Sequence, residues 1–108
     1  MPRKRLSPET LDAVANRFKV LAEPARLLVL DQLRGRPLNV TELMDATQLN
    51  QANLSKHLQL LHAHGFVARR RDGLFVVYEL ADQTVFALCD IMCGQLERRG
   101  AELRRQSR

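Results

Sequence analysis

The sequence has very little cysteine and no long apolar run, and these two absences exclude two broad classes of protein. Cysteine occurs only twice in 108 residues, and Cys89 and Cys93 are too close in sequence to build a disulfide framework, which agrees with a reducing compartment. No apolar run approaches the roughly 18 residues of a membrane-spanning helix. The N-terminal sequence MPRKRLSPET is basic but lacks the apolar stretch of a secretory signal. We therefore expect a cytoplasmic protein without a membrane partner.

The signatures of an enzyme are missing as well. There is no glycine-rich phosphate-binding loop, and no hydroxyl nucleophile has a plausible base and orienting acid. A domain of this length has an expected radius of gyration of about 13 Å, so it can bury one core but has little room for a deep active-site cavity. We predict that the chain is not an enzyme.

Positive charge exceeds negative charge. Seventeen Lys and Arg residues against twelve Asp and Glu residues give a net charge of +5, which favours nucleic acid as a partner before an anionic membrane surface. Basic residues are concentrated at both ends of the chain. We predict a flexible basic arm at residues 1–6, one folded domain at 7–98 and a basic tail at 99–108.

Helical signals fill the first part of the chain. The tripeptide Ser-Pro-Glu at 7–9 has the residue types of a helix start, and apolar residues follow at helical spacing until Pro24 begins a second helix. Two short helices come next, with Thr41 as the predicted cap of the first and Asn50 as the cap of the second. This pair is a helix-turn-helix pattern.

The periodicity changes after residue 65. The segments FVARRR and LFVVYEL flank Asp72-Gly73, a dipeptide suited to a two-residue type I′ turn, which predicts a β-hairpin. Asp82 caps a last helix. One face of this helix is apolar and consists of Val85, Cys89, Met92, Cys93 and Leu96. The predicted fold is mainly α with a β-hairpin wing, in the order α-α-α-α-β-β-α, which is a winged helix-turn-helix.

The second helix of the helix-turn-helix begins with polar side chains that suit DNA. Recognition helices read base edges chiefly with their N-terminal residues; Gln and Asn contact adenine, while Ser and Lys suit phosphate or guanine. The predicted DNA contacts on this helix are Gln51, Ala52, Asn53, Ser55, Lys56 and His57. Thr41 of the preceding helix is a further predicted contact. The alternative is an ordinary amphipathic surface helix.

Three consecutive arginines precede the predicted turn. Arg69, Arg70 and Arg71 would lie near the tip of the hairpin, where arginine contacts phosphate or enters a narrow minor groove. A solvated charged edge that discourages strand pairing is the alternative for a hairpin that stands alone. Because a helix-turn-helix adjoins this hairpin, we interpret it as a DNA-contacting wing.

Three stretches together resemble the ArsR/SmtB-type family of bacterial winged helix-turn-helix repressors: FKVLAEPARLLVLDQL, LNQANLSKHLQLLHAHGFV and RRRDGLFVVYEL. The resemblance implies a homodimer, joined through its first and last helices, that binds a double-stranded DNA operator of two half-sites and releases it when an inducer binds. The apolar faces at 11–21 and 85–96 agree independently, because one small domain hardly needs both for its own core.

Two sensor sites of that family are absent from this sequence. Family members that sense metalloids resemble one another in a Cys-Val-Cys stretch, and the matching positions here are Asn39, Val40 and Thr41. Zinc sensors of the family have an Asp-x-His pair and further histidines on the last helix. Here Asp82 is followed by Gln-Thr, and no histidine lies beyond His64.

The pair Cys89 and Cys93 is the remaining candidate for sensing. Four residues along a helix place two side chains about 40° apart, so two thiolates could share a soft ion such as As(III), Cu(I) or Zn(II). Three interpretations stay open: core packing, redox or persulfide sensing, and metal or metalloid binding. His57, His62 and His64 are interpreted as surface or DNA-facing residues, since the last two diverge on a helix.

The function predicted from the sequence is that of a dimeric transcriptional repressor. Its two recognition helices would enter successive major grooves about 34–36 Å apart. An inducer, either a thiol-reactive species or a soft metal or metalloid at the cysteine pair, would release the DNA. The alternatives are a protein-interaction or antitoxin-like module and a non-specific nucleic-acid-binding protein.

Overall fold

The computed structural model describes residues 4–106 and confirms the predicted order of elements within them. The elements are α1 (Pro8–Leu21), α2 (Pro24–Gln32), β1 (Leu38–Asn39), α3 (Val40–Thr47), α4 (Gln51–Ala63), β2 (Val67–Asp72), β3 (Phe75–Leu80) and α5 (Thr84–Gln106). The two-residue strand β1 is an addition to that order. Residues 1–3 of the predicted arm and 107–108 of the predicted tail lie outside the described residues.

Side-chain caps begin most of the helices. The Ser7 hydroxyl accepts a hydrogen bond from the Thr10 amide at 3.1 Å, and Pro8 is the first helical residue of α1. At α4, the Asn50 side chain accepts from the Asn53 amide at 2.8 Å, as predicted. At α5, the Asp82 carboxylate accepts from the Thr84 amide at 2.9 Å. These bonds satisfy amides that have no partner inside the helix.

The predicted cap of α3 was wrong. Asn39 caps this helix: its side chain accepts from the Glu42 amide at 2.8 Å, and the Glu42 carboxylate accepts from the Asn39 amide at 2.9 Å. This reciprocal pair is a capping box. Thr41 lies inside the first turn of α3 with an exposed side chain.

The three strands form an antiparallel sheet in the order β1-β3-β2. In the hairpin Asp72 pairs with Phe75, so the two-residue turn is Gly73-Leu74 and lies one residue later than predicted. Gly73 has a φ of 61°, whereas Leu74 has no positive φ. A positive φ at the first turn residue alone is the pattern of a type II′ turn, so the type I′ prediction was also wrong.

The core lies between α2, α3 and α4 and is closed by the sheet. Its largest fully buried side chains are Val29, Leu30, Leu43, Leu54, Leu58 and Leu61. Val67 and Tyr78 cover it from the sheet, and α5 joins it through Val85 and Phe86. The apolar residues of α2 to α4 therefore hold the helix-turn-helix together, and α5 touches this core only near its start.

Helix α5 makes the protomer much longer than the sequence analysis expected. The radius of gyration is 17.1 Å and the extents are 55 × 42 × 23 Å, because most of this 23-residue helix runs beyond the core. Residues 99–106, assigned to a basic tail, are helical. Gly100 does not end the helix, since one glycine costs only about 1 kcal/mol in a helix. The division into arm, domain and tail stays a prediction.

Both terminal helices expose large apolar side chains in the protomer. Leu11, Val14 and Phe18 of α1 are exposed. The exposed apolar residues of α5 are Leu88, Ile91, Met92, Leu96 and Leu103. The core of one protomer therefore leaves both faces uncovered. No helix within residues 4–106 is long and apolar enough to cross a membrane.

Candidate nucleic-acid interface

The turn between α3 and α4 is fixed by local hydrogen bonds. Gln48 has a left-handed conformation with a φ of 61°, and its amide donates to the Met44 carbonyl at 2.8 Å. The hydroxyl of Thr47 donates to the Leu43 carbonyl at 2.6 Å and accepts from the Leu49 amide at 3.3 Å. These bonds close the end of α3 and direct the chain into α4.

Helix α4 has a buried face and an exposed face. Leu54, Leu58 and Leu61 are buried. The side opposite these leucines carries a line of exposed residues spaced by three or four positions: Ala52, Lys56, Gln59 and Ala63. Gln51 and Asn53 are exposed and Ser55 is half-buried beside this line. The helix thus presents the predicted polar residues at its start.

Gln59 is a candidate contact that the sequence analysis missed. It is exposed and lies seven residues after Ala52, which places both on one face of α4. The same spacing rule that identified the buried leucines would have identified it. Gln59 was omitted because only the first two turns of the helix were considered as DNA contacts.

His57 is less exposed than the sequence analysis predicted, and one of its ring nitrogens already has a partner. Its side chain is half-buried, and its Nδ1 lies 3.2 Å from Nη1 of Arg26. The same guanidinium donates from Nε to the Val20 carbonyl at 2.5 Å and from Nη2 to the Lys19 carbonyl at 3.4 Å. Arg26 therefore joins the end of α1 and the start of α2 to the middle of α4.

A second arginine joins α1 to the C-terminal end of α4. Nη1 of Arg17 donates to the His64 carbonyl at 2.7 Å, and its guanidinium carbon lies 4.2 Å from the centre of the Phe66 ring. The carbonyl of His64 is one of the terminal groups that have no partner inside the helix. With Arg26 and Arg17, α1 is attached at two separated points of α4.

The three wing arginines are all exposed but do not share one face. Residues directly opposite in neighbouring strands point to the same side of a sheet, and successive residues alternate. Arg69 pairs with Tyr78 and Arg71 with Val76, whereas Arg70 pairs with Val77. Arg70 therefore points away from the side shared by Arg69 and Arg71. One line of phosphates cannot engage all three side chains equally.

The two cysteines line a groove between α2 and α5. The groove has a volume of about 420 Å³, and its lining includes Leu27, Leu28, Cys89 and Cys93. Cys89 is half-buried and Cys93 is exposed. At the rim, Arg34 lies 4.5 Å from the centre of the Phe86 ring and 3.8 Å from the Asp90 carboxylate. The core of one protomer therefore does not enclose Cys93.

Comparison with known proteins decides the family. The model of "Bacterial regulatory protein, arsR family" matches residues 23–69. The chain is 38% identical over 89 residues to the HTH-type transcriptional regulator NmtR of Mycobacterium tuberculosis, covering 82% of this chain and 74% of that one. The chain belongs to the ArsR family. It is therefore a transcriptional regulator and not an enzyme, as predicted.

Two further matches support this assignment to the ArsR family. The HTH-type transcriptional repressor SmtB of Mycobacterium tuberculosis is 42% identical over 74 residues; the match covers 68% of this chain and 55% of that protein's length. A solution structure from Mycobacterium bovis superposes with a TM-score of 0.74 at 31% identity, covering 88% of this chain and 91% of that one. It is the homodimeric winged helix-turn-helix DNA-binding domain of a possible ArsR-family regulator. The winged helix-turn-helix fold is confirmed.

No metal-binding cluster exists in a single protomer of this ArsR-family chain, within the part that the structure describes. No group of three His, Cys, Asp or Glu residues is placed to hold an ion there. His62 and His64 are half-buried at the end of α4, and the Nδ1 atom of His64 lies 3.1 Å from the Leu60 carbonyl. An ion with three or more ligands at the cysteine pair would need further ligands from a second protomer or from the inducer itself.

Proposed function

We propose that the chain is a homodimeric repressor that binds a double-stranded DNA operator of two half-sites. The observation that carries this proposal is the start of α4, where Gln51, Asn53 and Lys56 are exposed while three leucines of the same helix are buried, beside a basic hairpin. In this proposal α4 enters the major groove and the wing contacts the adjacent backbone or minor groove. The relative named as a repressor and the homodimeric relative support it.

Each predicted contact residue other than His57 has a direct role in this proposal. Gln51 and Asn53 read adenine through their amide groups, and Lys56 binds phosphate or guanine. The residues that position the protein on the backbone are Thr41, Ser55, Arg69, Arg70 and Arg71. Ala52 allows close approach of the helix to the base edges.

The apolar faces of α1 and α5 form the dimer interface in this proposal. Both are exposed in the protomer. In a twofold dimer the same faces would be buried on both protomers. With a charge of +5 per chain, the dimer presents a strongly basic surface to DNA. This charge supports a large electrostatic contribution to binding.

The experiment begins with a duplex that the wild-type protein selects from a random DNA library. Gln51→Ala or Asn53→Ala should weaken binding to this duplex by about 1–3 kcal/mol and hardly change binding to a random duplex. Gln83→Ala, an exposed glutamine before α5, is the matched control and should bind both duplexes like the wild type. Equal losses on the two duplexes would contradict base reading.

The wing is tested by salt titration. Arg70→Ala should weaken binding to both duplexes and reduce the dependence of affinity on salt, because phosphate contacts release counterions without regard to sequence. Equal wild-type affinity for selected and random duplexes would instead identify a non-specific nucleic-acid-binding protein.

We further propose that the inducer acts at the groove that contains Cys89 and Cys93. Helix α5 carries both thiols and part of the proposed dimer interface, so a change there alters the spacing of the two recognition helices. A thiol-reactive species or a soft metal or metalloid ion would favour the arrangement that does not bind DNA. The usual coupling of about 1–3 kcal/mol would lower operator affinity about 5- to 150-fold.

Cysteine variants test this second proposal. The wild type, Cys89→Ser and Cys93→Ser are each bound to the selected duplex and treated with arsenite, a persulfide donor or peroxide. Release by the wild type alone is the expected result, because a bridge between two thiols requires both. If all three proteins stay bound, or all three release, the cysteines are structural and the inducer acts elsewhere.

A further inference from the structure

Arg26 and His57 form the only direct side-chain hydrogen bond between the α1–α2 junction and α4 within residues 4–106. We propose that Arg26 is a positioning residue that holds His57 as a neutral hydrogen-bond donor, and that His57 uses this donor to read a base acceptor in DNA. This inference deepens the proposed function and rests on it.

The chemistry of the pair determines which nitrogen of His57 carries the proton. An arginine side chain has only N–H donors and stays protonated. At 3.2 Å the Arg26 Nη1 atom must donate, so Nδ1 of His57 must accept and cannot carry a proton. A neutral imidazole with a bare Nδ1 carries its proton on Nε2. Arg26 therefore selects one tautomer of His57.

Arg26 itself is held in place by two backbone carbonyls. Its Nε and Nη2 atoms donate to Val20 and Lys19, which belong to the last turn of α1. The Val20 carbonyl is among the terminal groups that lack a helical partner, whereas the Lys19 carbonyl also accepts from the Ala22 amide at 3.3 Å. The two carbonyls fix the direction of the guanidinium before it meets His57, and turning it away would leave the Val20 carbonyl without this donor.

The Nε2 atom of His57 is not fully buried. No hydrogen bond from Nε2 exists among the described residues, and every fully buried side-chain nitrogen or oxygen of the half-buried residues there has a partner. Because Nε2 has no partner, it keeps some contact with solvent. His57 lies one helical turn after Asn53, on the same side of the helix. The N–H group is placed beside a residue proposed to read bases.

A neutral donor and a cation bind DNA differently. A neutral N–H pairs with one acceptor atom, such as N7 of a purine or O6 of guanine, and it displaces no counterions. A protonated histidine would behave like lysine and would add to the salt dependence of binding. With Nδ1 accepting from Arg26, the N–H group that His57 offers to DNA is the one on Nε2.

Nitrogen NMR on the full chain without DNA tests the tautomer. The ¹⁵N shifts of the wild type should show a proton on Nε2 and none on Nδ1 of His57. Arg26→Met should produce a mixture of the two tautomers. Arg17→Met removes the other arginine that joins α1 to α4 and should leave the His57 shifts unchanged. A protonated Nδ1 in the wild type, or unchanged shifts in Arg26→Met, would overturn the pairing.

DNA binding tests the use of the donor. His57→Asn keeps an acceptor attached to Cγ, opposite Arg26, but loses the Nε2 donor. We expect about 3- to 10-fold weaker binding to the selected duplex, the usual range for one neutral hydrogen bond, with unchanged salt dependence and unchanged binding to a random duplex. Adding Arg26→Met to His57→Asn should cause less further loss than Arg26→Met alone, because the two residues act through one contact.

The other outcomes each overturn a defined part of the inference. Equal loss on both duplexes would mean that His57 contacts phosphate, and a reduced salt dependence would mean that it binds as a cation. If His57→Asn binds the selected duplex with the affinity of the wild type, then His57 makes no contact with DNA. If the wild type selects no duplex, the proposed function fails and so does the contact, while NMR separately decides the pairing.

Discussion

The dimer interface is tested most directly at Leu96 of α5. This side chain is 62% exposed in the protomer, and the proposed interface would bury it. Full burial of a leucine is worth about 1.5–3 kcal/mol, so burial of its exposed part contributes about 1–2 kcal/mol per copy and about 2–4 kcal/mol per twofold dimer. Leu96→Glu should remove this contribution, which corresponds to dimerisation weaker by about 30- to 700-fold. Burial of the new carboxylate would add to the loss.

Sedimentation equilibrium across a range of protein concentrations measures this change. Ala87→Glu is the matched control, because Ala87 is exposed and lies nine residues from Leu96, two and a half turns away on the opposite side of α5. The control should dimerise like the wild type. An intact dimer of Leu96→Glu with wild-type affinity, or equal weakening of both variants, would refute the assignment of this face.

The remaining predictions concern two helix caps, the neutral Asn39 at α3 and the charged Asp82 at α5. Asn39→Ala should lower the free energy of unfolding by about 1 kcal/mol, because it removes the cap of α3, whereas Thr41→Ala should change it little. Chemical denaturation measures both variants. A larger loss of stability in Thr41→Ala than in Asn39→Ala would mean that Thr41 is the cap. The amide and hydroxyl of Thr84 lower the pKa of the Asp82 carboxylate below its usual range. A carboxylate whose pKa is lowered by folding contributes stability above the pKa of the unfolded state, and the contribution is lost as the pH falls through the folded pKa. Asp82→Asn should therefore be less stable than the wild type at neutral pH, and the difference should vanish in acid; a difference that does not depend on pH would contradict this.

Most of the fold follows from signals that act within a few residues. The caps at Ser7 and Asn50 and the leucine spacing of α4 predicted helices that the structure contains. The cap of α3 was misplaced although the sequence held the answer: Asn39 has a glutamate three residues later, as a capping box requires, whereas Thr41 has Met44. The chemistry of the reciprocal partner decides between two residues that can both cap.

Other features depend on contacts between distant residues. Strand β1 has only two residues, too few for any periodicity, and it exists because it pairs with β3. The hairpin turn moved by one residue because the register pairs Asp72 with Phe75. The surroundings of His57 depend on Arg26, 31 positions earlier in the chain. Only the position of His57 next to the leucine face gave a local hint that it would be half-buried.

The position of Asn39 links the wing mechanically to the helix-turn-helix. Asn39 pairs with Val77 in the sheet and also caps α3, so the hairpin cannot move relative to α3 without breaking a strand pair or a cap. Within one proposed half-site, the distance between the groove read by α4 and the segment reached by the wing is thus set by a rigid unit. A base pair inserted inside a half-site would disrupt this match. A base pair inserted between half-sites would leave each of these rigid units matched to its own half-site.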